Sequence, residues 1–106
     1  MKTFLVEYTD EAVEDLRNIY DYIANEKLEP ERASKLIKAI LDNVRKLDNL
    51  PFRNPQTNYS PWKEIGVRNM VVKNHVIFYK VYEADSIVRV LRIFSCKRDI
   101  ATIIKT

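Results

Sequence analysis

Residues 66–82 read Gly66-Val67-Arg68-Asn69-Met70-Val71-Val72-Lys73-Asn74-His75-Val76-Ile77-Phe78-Tyr79-Lys80-Val81-Tyr82, and this stretch decides the fold. The chain here takes the period of two expected of strands, whose side chains alternate between two faces. Val67 to Val72 is one candidate strand. Lys73-Asn74 suits a tight turn, and Val76 to Tyr82 is a second strand, rich in β-branched and aromatic residues. Glu83-Ala84-Asp85 makes another turn, and Ile87 to Phe94 a third strand. Short turns join all three, so they predict an antiparallel meander. Asp99 to Ile104 has the pattern of a short closing helix.

Upstream, the period is helical. Phe4-Leu5-Val6 with Tyr8 reads as a short strand. Thr9 is placed to cap a helix, with Asp10 and Glu11 at its positive end. Ala12, Leu16, Ile19, Tyr20 and Ile23 then fall on one face. Glu11, Glu14, Asp15, Asn18 and Asp21 fall on the other, predicted to be solvated. Pro30 suits the first turn of a second helix. Its Ala33, Leu36, Ile37, Ile40, Leu41, Val44 and Leu47 form one stripe over about four turns. The short link between the helices predicts an antiparallel hairpin. Leu50 to Trp62, with Pro51, Pro55 and Pro61, is a loop, and its length points to a functional role. The order β-α-α-β-β-β-α specifies an α+β fold. It comprises an N-terminal strand, an antiparallel two-helix hairpin packed on an antiparallel meander, and a short C-terminal helix.

The totals bound the function class. A chain of 106 residues with 46% hydrophobic residues is expected to form a single domain spanning 1–106, with a core that requires neither disulfide nor metal. The single cysteine, Cys96, has no partner for an internal disulfide, which suits a reducing cytoplasm. One cysteine and one histidine do not make a metal site, and no cofactor is expected. Met1 to Thr9 lacks the apolar run of a signal peptide. No stretch approaches the roughly 20 apolar residues of a membrane span. The lone glycine, Gly66, excludes a glycine-rich phosphate loop.

The charge is lopsided. Residues 63–106 carry nine Lys/Arg against four acids, a net +5, while residues 1–62 carry nine against eleven, a net −2. The basic half is the strand half. A sheet that presents cations on a fixed face is suited to a polyanion or an acidic partner. Strict alternation puts Arg89 with Leu91, Ile93 and Ser95, and Arg92 with Val88, Val90 and Phe94, so the two arginines are expected on opposite faces. Arg68 shares a face with Met70 and Val72. Arginines in a concave groove would grip phosphate bidentately; strand-end salt bridges are the equal alternative. His75 has no sequence-adjacent partner and is read as structural. Trp62 is read as a lid over core in preference to a base-stacking platform.

Taken as an ordered set, these residues resemble the RelE/ParE superfamily of bacterial toxins from type II toxin-antitoxin modules. The resemblance covers nearly the whole chain. It runs through Val6-Glu7-Tyr8-Thr9-Asp10-Glu11-Ala12, Pro30-Glu31-Arg32-Ala33 and Leu47-Asp48-Asn49-Leu50-Pro51. It continues through Gly66-Val67-Arg68, Lys73 to Val81, Val90-Leu91-Arg92-Ile93-Phe94 and Lys97-Arg98-Asp99. The fold it implies is the one just read. The function it implies is a cytoplasmic, growth-inhibiting and plasmid-stabilising toxin. A cognate antitoxin would silence it and, as a complex, contact operator DNA.

The superfamily splits by target. One branch poisons DNA gyrase, the other cleaves mRNA in the ribosome. The Arg98-Asp99 ending and Phe78-Tyr79-Lys80-Val81 look more like the gyrase branch. For the cleaving branch, Lys97-Arg98 matches a phosphate-binding turn and Arg68 a basic strand position. Arg68 and Arg98 would then be catalytic, with Lys73, Tyr79, Arg92 and Lys97 as the binding surface. Tyr79 or a terminal lysine would be left for proton transfer. Val76 stands where some relatives have arginine, and Ile104 near where some have tyrosine, so a general acid–base pair is not evident. A third reading is a degenerate binding module without toxicity.

Overall fold

The computed structural model describes residues 2–104. Strand β1 (Leu5–Tyr8) leads into helix α1 (Asp10–Asp21), and the Thr9 hydroxyl accepts from the Ala12 amide at 3.1 Å. This is the expected cap. A π-helical turn, Tyr22–Glu26, prolongs α1, and Leu28 turns the chain with φ of 55°. Helix α2 (Pro30–Arg45) begins with its proline in the first turn. The meander follows as β2 (Arg68–Val72), β3 (His75–Tyr82) and β4 (Ile87–Ser95), and α3 (Ile100–Ile104) closes the described chain.

The sheet order is β1-β4-β3-β2. The meander pairs antiparallel as expected, but β1 runs parallel to β4, so the sheet is mixed. The turn between β2 and β3 has positive φ at both Lys73 and Asn74. That combination matches the right-handed twist of the strands it joins. Gly66, at φ 79°, ends the 3-10 turn Trp62–Ile65 and swings the chain towards β2, a conformation that costs glycine least.

Each face of the sheet carries its own core. On the hairpin side, Ala33, Leu36, Ile40, Val44 and Leu47 of the second helical segment meet Met70, Val72, Ile77, Tyr79, Val88, Val90 and Ile93. On the opposite side Val67, Val76, Phe78, Phe94 and Ile100 form a second cluster, with Trp62 packed against it. Trp62 is therefore a lid over core, its ring 4.9 Å from that of Phe78. Leu41 and Tyr20, expected in the apolar stripes, are 40% and 37% exposed. The residues 50–62 loop is stitched to the outer edge of β2 by Asn69 N–H to Pro55 O, and to the residue before it by Thr57 N–H to Val67 O.

One expectation about β4 fails for a definable reason. Tyr79 pairs with Val90 and Phe78 with Arg92, so Leu91 is an extra residue, a bulge. A bulge shifts the alternation by one. Arg92 opposite Phe78 and Arg89 opposite Lys80 therefore share the face away from the hairpin, where strict alternation had separated them.

Candidate functional site

A cleft of about 1440 Å³ opens between the tip of the helical hairpin and one end of the sheet. Its sheet wall is made by Lys73, Asn74 and His75 of the β2–β3 turn and by Ser95, Lys97 and Arg98 at the end of β4. Its hairpin wall includes Tyr22, Lys27, Leu28, Arg32 and Lys35. The β3–β4 register places His75 opposite Ser95, and Cys96 N–H donates to Asn74 O at 2.9 Å. Two turns far apart in sequence are thereby neighbours. The structure brings Lys73, Lys97 and Arg98 together, with His75 beside them.

Arg92 and Arg98 both lie over the buried Phe94 ring, at 4.6 and 5.5 Å from its centroid. The quadrupole of the ring attracts each guanidinium. Arg92 is further fixed by Asp15, which accepts from its Nε at 2.7 Å and its Nη2 at 3.0 Å. Asp15 also accepts the Ile93 amide at 2.9 Å, and is buried. Beyond Tyr8, β1 no longer covers the outer edge of β4, and here Thr9 and Asp15 of the first helical segment take over. Thr9 bonds Val90 O and Leu91 O, and Asp15 takes Ile93 N–H. Asp15 therefore departs from its expected place on a solvated acidic face. It sits three residues after Ala12 and four before Ile19, and that spacing was the available signal. Arg92 is cationic as any arginine is, and hydrogen bonding to Asp15 raises its pKa further.

Arg68 is not in the cleft. It lies at the other end of β2, opposite Tyr79, about 13 Å of strand from the His75–Ser95 pair on β3. One guanidinium nitrogen donates to Phe52 O at 3.1 Å and Asn54 O at 2.6 Å, and the group stacks on the Phe52 ring. Tyr79 is fully buried. Its hydroxyl donates to Pro51 O at 2.8 Å and accepts from Asn54 Nδ2 at 3.1 Å. Burial raises the Tyr79 pKa despite the opposing bond from Asn54. Tyr79 therefore offers no binding surface, contrary to the expectation from sequence. Both residues anchor the loop at 51–54. Lys105, the terminal lysine considered for proton transfer, lies outside the described residues.

Among the described residues Lys27, Lys35, Lys73, Lys97 and Arg98 form no salt bridge, whereas Arg32 is held by Glu29 at 3.0 Å. No group of three His, Cys, Asp or Glu side chains among the described residues is arranged to hold a metal. No helix there is long and apolar enough to cross a membrane. Cys96 is exposed and unpaired by disulfide.

The sequence matches, over residues 6–100, the family described as ParE toxin of the type II toxin-antitoxin system, parDE. A comparison with curated proteins found no match. Among solved structures, a chain of the chromosomal ParDE toxin-antitoxin system from P. aeruginosa superposes with a TM-score of 0.73 at 22% identity, covering 92% of this chain and 100% of that one. The RelBE2 toxin-antitoxin complex from Mycobacterium tuberculosis gives 0.64 at 19%, covering 90% and 93%. A mutant E. coli RelE toxin in the free state gives 0.64 at 8%, covering 95% and 92%. These identities establish a shared fold.

Proposed function

Because the chain belongs to the ParE toxin family of type II toxin-antitoxin systems, we propose that it arrests growth by binding DNA gyrase and that a cognate antitoxin silences it. The observation that carries the choice of binding over cleavage is the separation of Arg68 from Arg98. Phosphodiester cleavage needs cations on the same phosphorane together with a proton donor and acceptor. Here Arg68 gives its bonds to loop carbonyls at the far end of the sheet. The Tyr79 hydroxyl is enclosed. Lys73, Lys97 and Arg98 remain as an exposed basic cluster suited to holding a macromolecule. The antitoxin half of the reading draws support from relatives solved as toxin-antitoxin complexes.

One observation favours a second reading. His75 lines the same cleft as Arg98, which puts a proton-transfer group beside a phosphate-binding one. That supplies one of the two proton-transfer groups a ribosome-dependent endoribonuclease needs. A short induction of the chain without antitoxin, with mapping of mRNA 5′ ends and an assay of gyrase supercoiling by the purified protein, separates the readings. The gyrase reading predicts intact messages, DNA breaks and inhibited supercoiling. New 5′ ends inside translated codons would replace it with the nuclease, and unimpeded growth with a non-toxic binding module.

A further inference from the structure

We propose that Leu28, at the tip of the helical hairpin, is the anchor that enters an apolar, carboxylate-rimmed pocket on the protein this chain acts on. The inference rests on the growth-arrest reading above and holds whichever protein is the target.

The argument begins with the backbone. Leu28 lies between the π-helical turn and α2, with φ of 55°. Left-handed backbone crowds a Cβ, so glycine or asparagine is the usual residue in this place after a helix. The turn is held on either side. Lys27 N–H donates to Tyr22 O at 3.1 Å, and Glu29 N–H donates to Ile23 O at 3.0 Å. Leu28 is also 81% exposed, more than any other large apolar residue among those described, and it belongs to neither core. An exposed leucine alone is ordinary. One that also opposes its own backbone brings the fold no packing in return, and such a residue points to a use outside the fold.

The surroundings give the partner's chemistry. Leu28 and the 54% exposed Tyr22 line the hairpin wall of the cleft. Exposed apolar carbon calls for an apolar pocket, which a protein surface offers and a phosphate backbone does not. The cleft lining holds six Lys/Arg against three acids. Two of those acids, Asp15 and Glu29, already hold Arg92 and Arg32. The excess of positive charge selects a pocket with carboxylates at its rim. Leu50 provides an internal comparison. It has φ of 50° and is 64% exposed, yet it lies outside the cleft lining.

The test is induction without antitoxin, with soluble protein quantified, for the parent chain, Leu28→Asn, Leu28→Met and Leu50→Asn. Asparagine suits left-handed backbone and removes the apolar side chain, whereas methionine keeps the apolar bulk. Leu28→Asn should melt at the parent temperature or up to about 5 °C above it. The protein level it needs for half-maximal arrest should rise more than about tenfold. Leu28→Met and Leu50→Asn should arrest at the parent level. Three results would each overturn the proposal. A melting temperature of Leu28→Asn more than about 2 °C below the parent would make Leu28 part of the scaffold. Full arrest by Leu28→Asn would leave the cations alone to hold the target. Equal loss of arrest by Leu50→Asn would remove the special place of the hairpin tip. Arrest is read whatever the target, so arrest with undisturbed supercoiling sinks the gyrase reading and leaves this inference standing. A parent chain that does not arrest growth sinks both.

Discussion

The two ends of the sheet hold the same kind of residue in opposite settings. At one end Arg68 stacks on Phe52 and bonds Phe52 O and Asn54 O. At the other, Lys73, Lys97 and Arg98 project into an open cleft. What separates them is whether nearby acceptors already take their hydrogen bonds. A cation bonded to its own loop is part of the scaffold; one left facing solvent and a groove is available to a partner. Net charge alone treats both ends as one basic surface.

The largest expected effect breaks the scaffold beside the cleft. Asp15→Ala leaves the Arg92 guanidinium and the Ile93 amide without their shared acceptor. It should cost about 3 kcal/mol, read as a urea midpoint shift at unchanged m-value. Next come the loop anchors. Tyr79→Phe should cost about 1–2 kcal/mol, because Pro51 O and Asn54 Nδ2 lose a buried partner. Arg68→Ala should cost about 1 kcal/mol while growth inhibition persists at matched protein level. A cleft-end variant sharpens the contrast from the other side. Lys73→Asn replaces a lysine held at φ of 46° by a residue that tolerates that region. Stability should hold or rise by about 0.5 kcal/mol while growth inhibition weakens.

The smallest effect concerns alkaline pH. Burial pushes Tyr8 up to about 12. An unfolded tyrosine ionises near 10, so the folded state holds the proton longer than the unfolded one. Tyr8's contribution is complete below pH 10 and is lost as pH rises from 10 to 12. Tyr8→Phe should flatten the alkaline fall in denaturation midpoint over that window.

The elements were legible because their signals are local. Thr9 followed by Asp10-Glu11, Pro30 at a helix start, and Lys73-Asn74 between two alternating runs each fix backbone geometry within a few residues. The parallel β1–β4 pairing was not legible, since it joins segments about 80 residues apart in sequence and depends on the whole hairpin packing between them. The bulge at Leu91 was hidden because its residue type fits a regular strand. It alone changes the face of Arg92. The candidate cleft was half legible. Lys73, Lys97 and Arg98 were singled out and do converge, whereas Arg68 and Tyr79 looked equally suitable until the 51–54 loop folded onto them. His75 seemed isolated because sequence separation, not register, was the measure of its neighbours.

The central claim is that the cleft end acts and the loop end supports. Its most direct test is growth on induction without antitoxin, with soluble protein quantified, for Arg68→Ala beside Lys73→Ala/Lys97→Ala/Arg98→Ala. The account predicts arrest by Arg68→Ala and normal growth with the triple variant, both folded by circular dichroism. Arrest by the triple variant together with loss of arrest by a well-folded Arg68→Ala would contradict it.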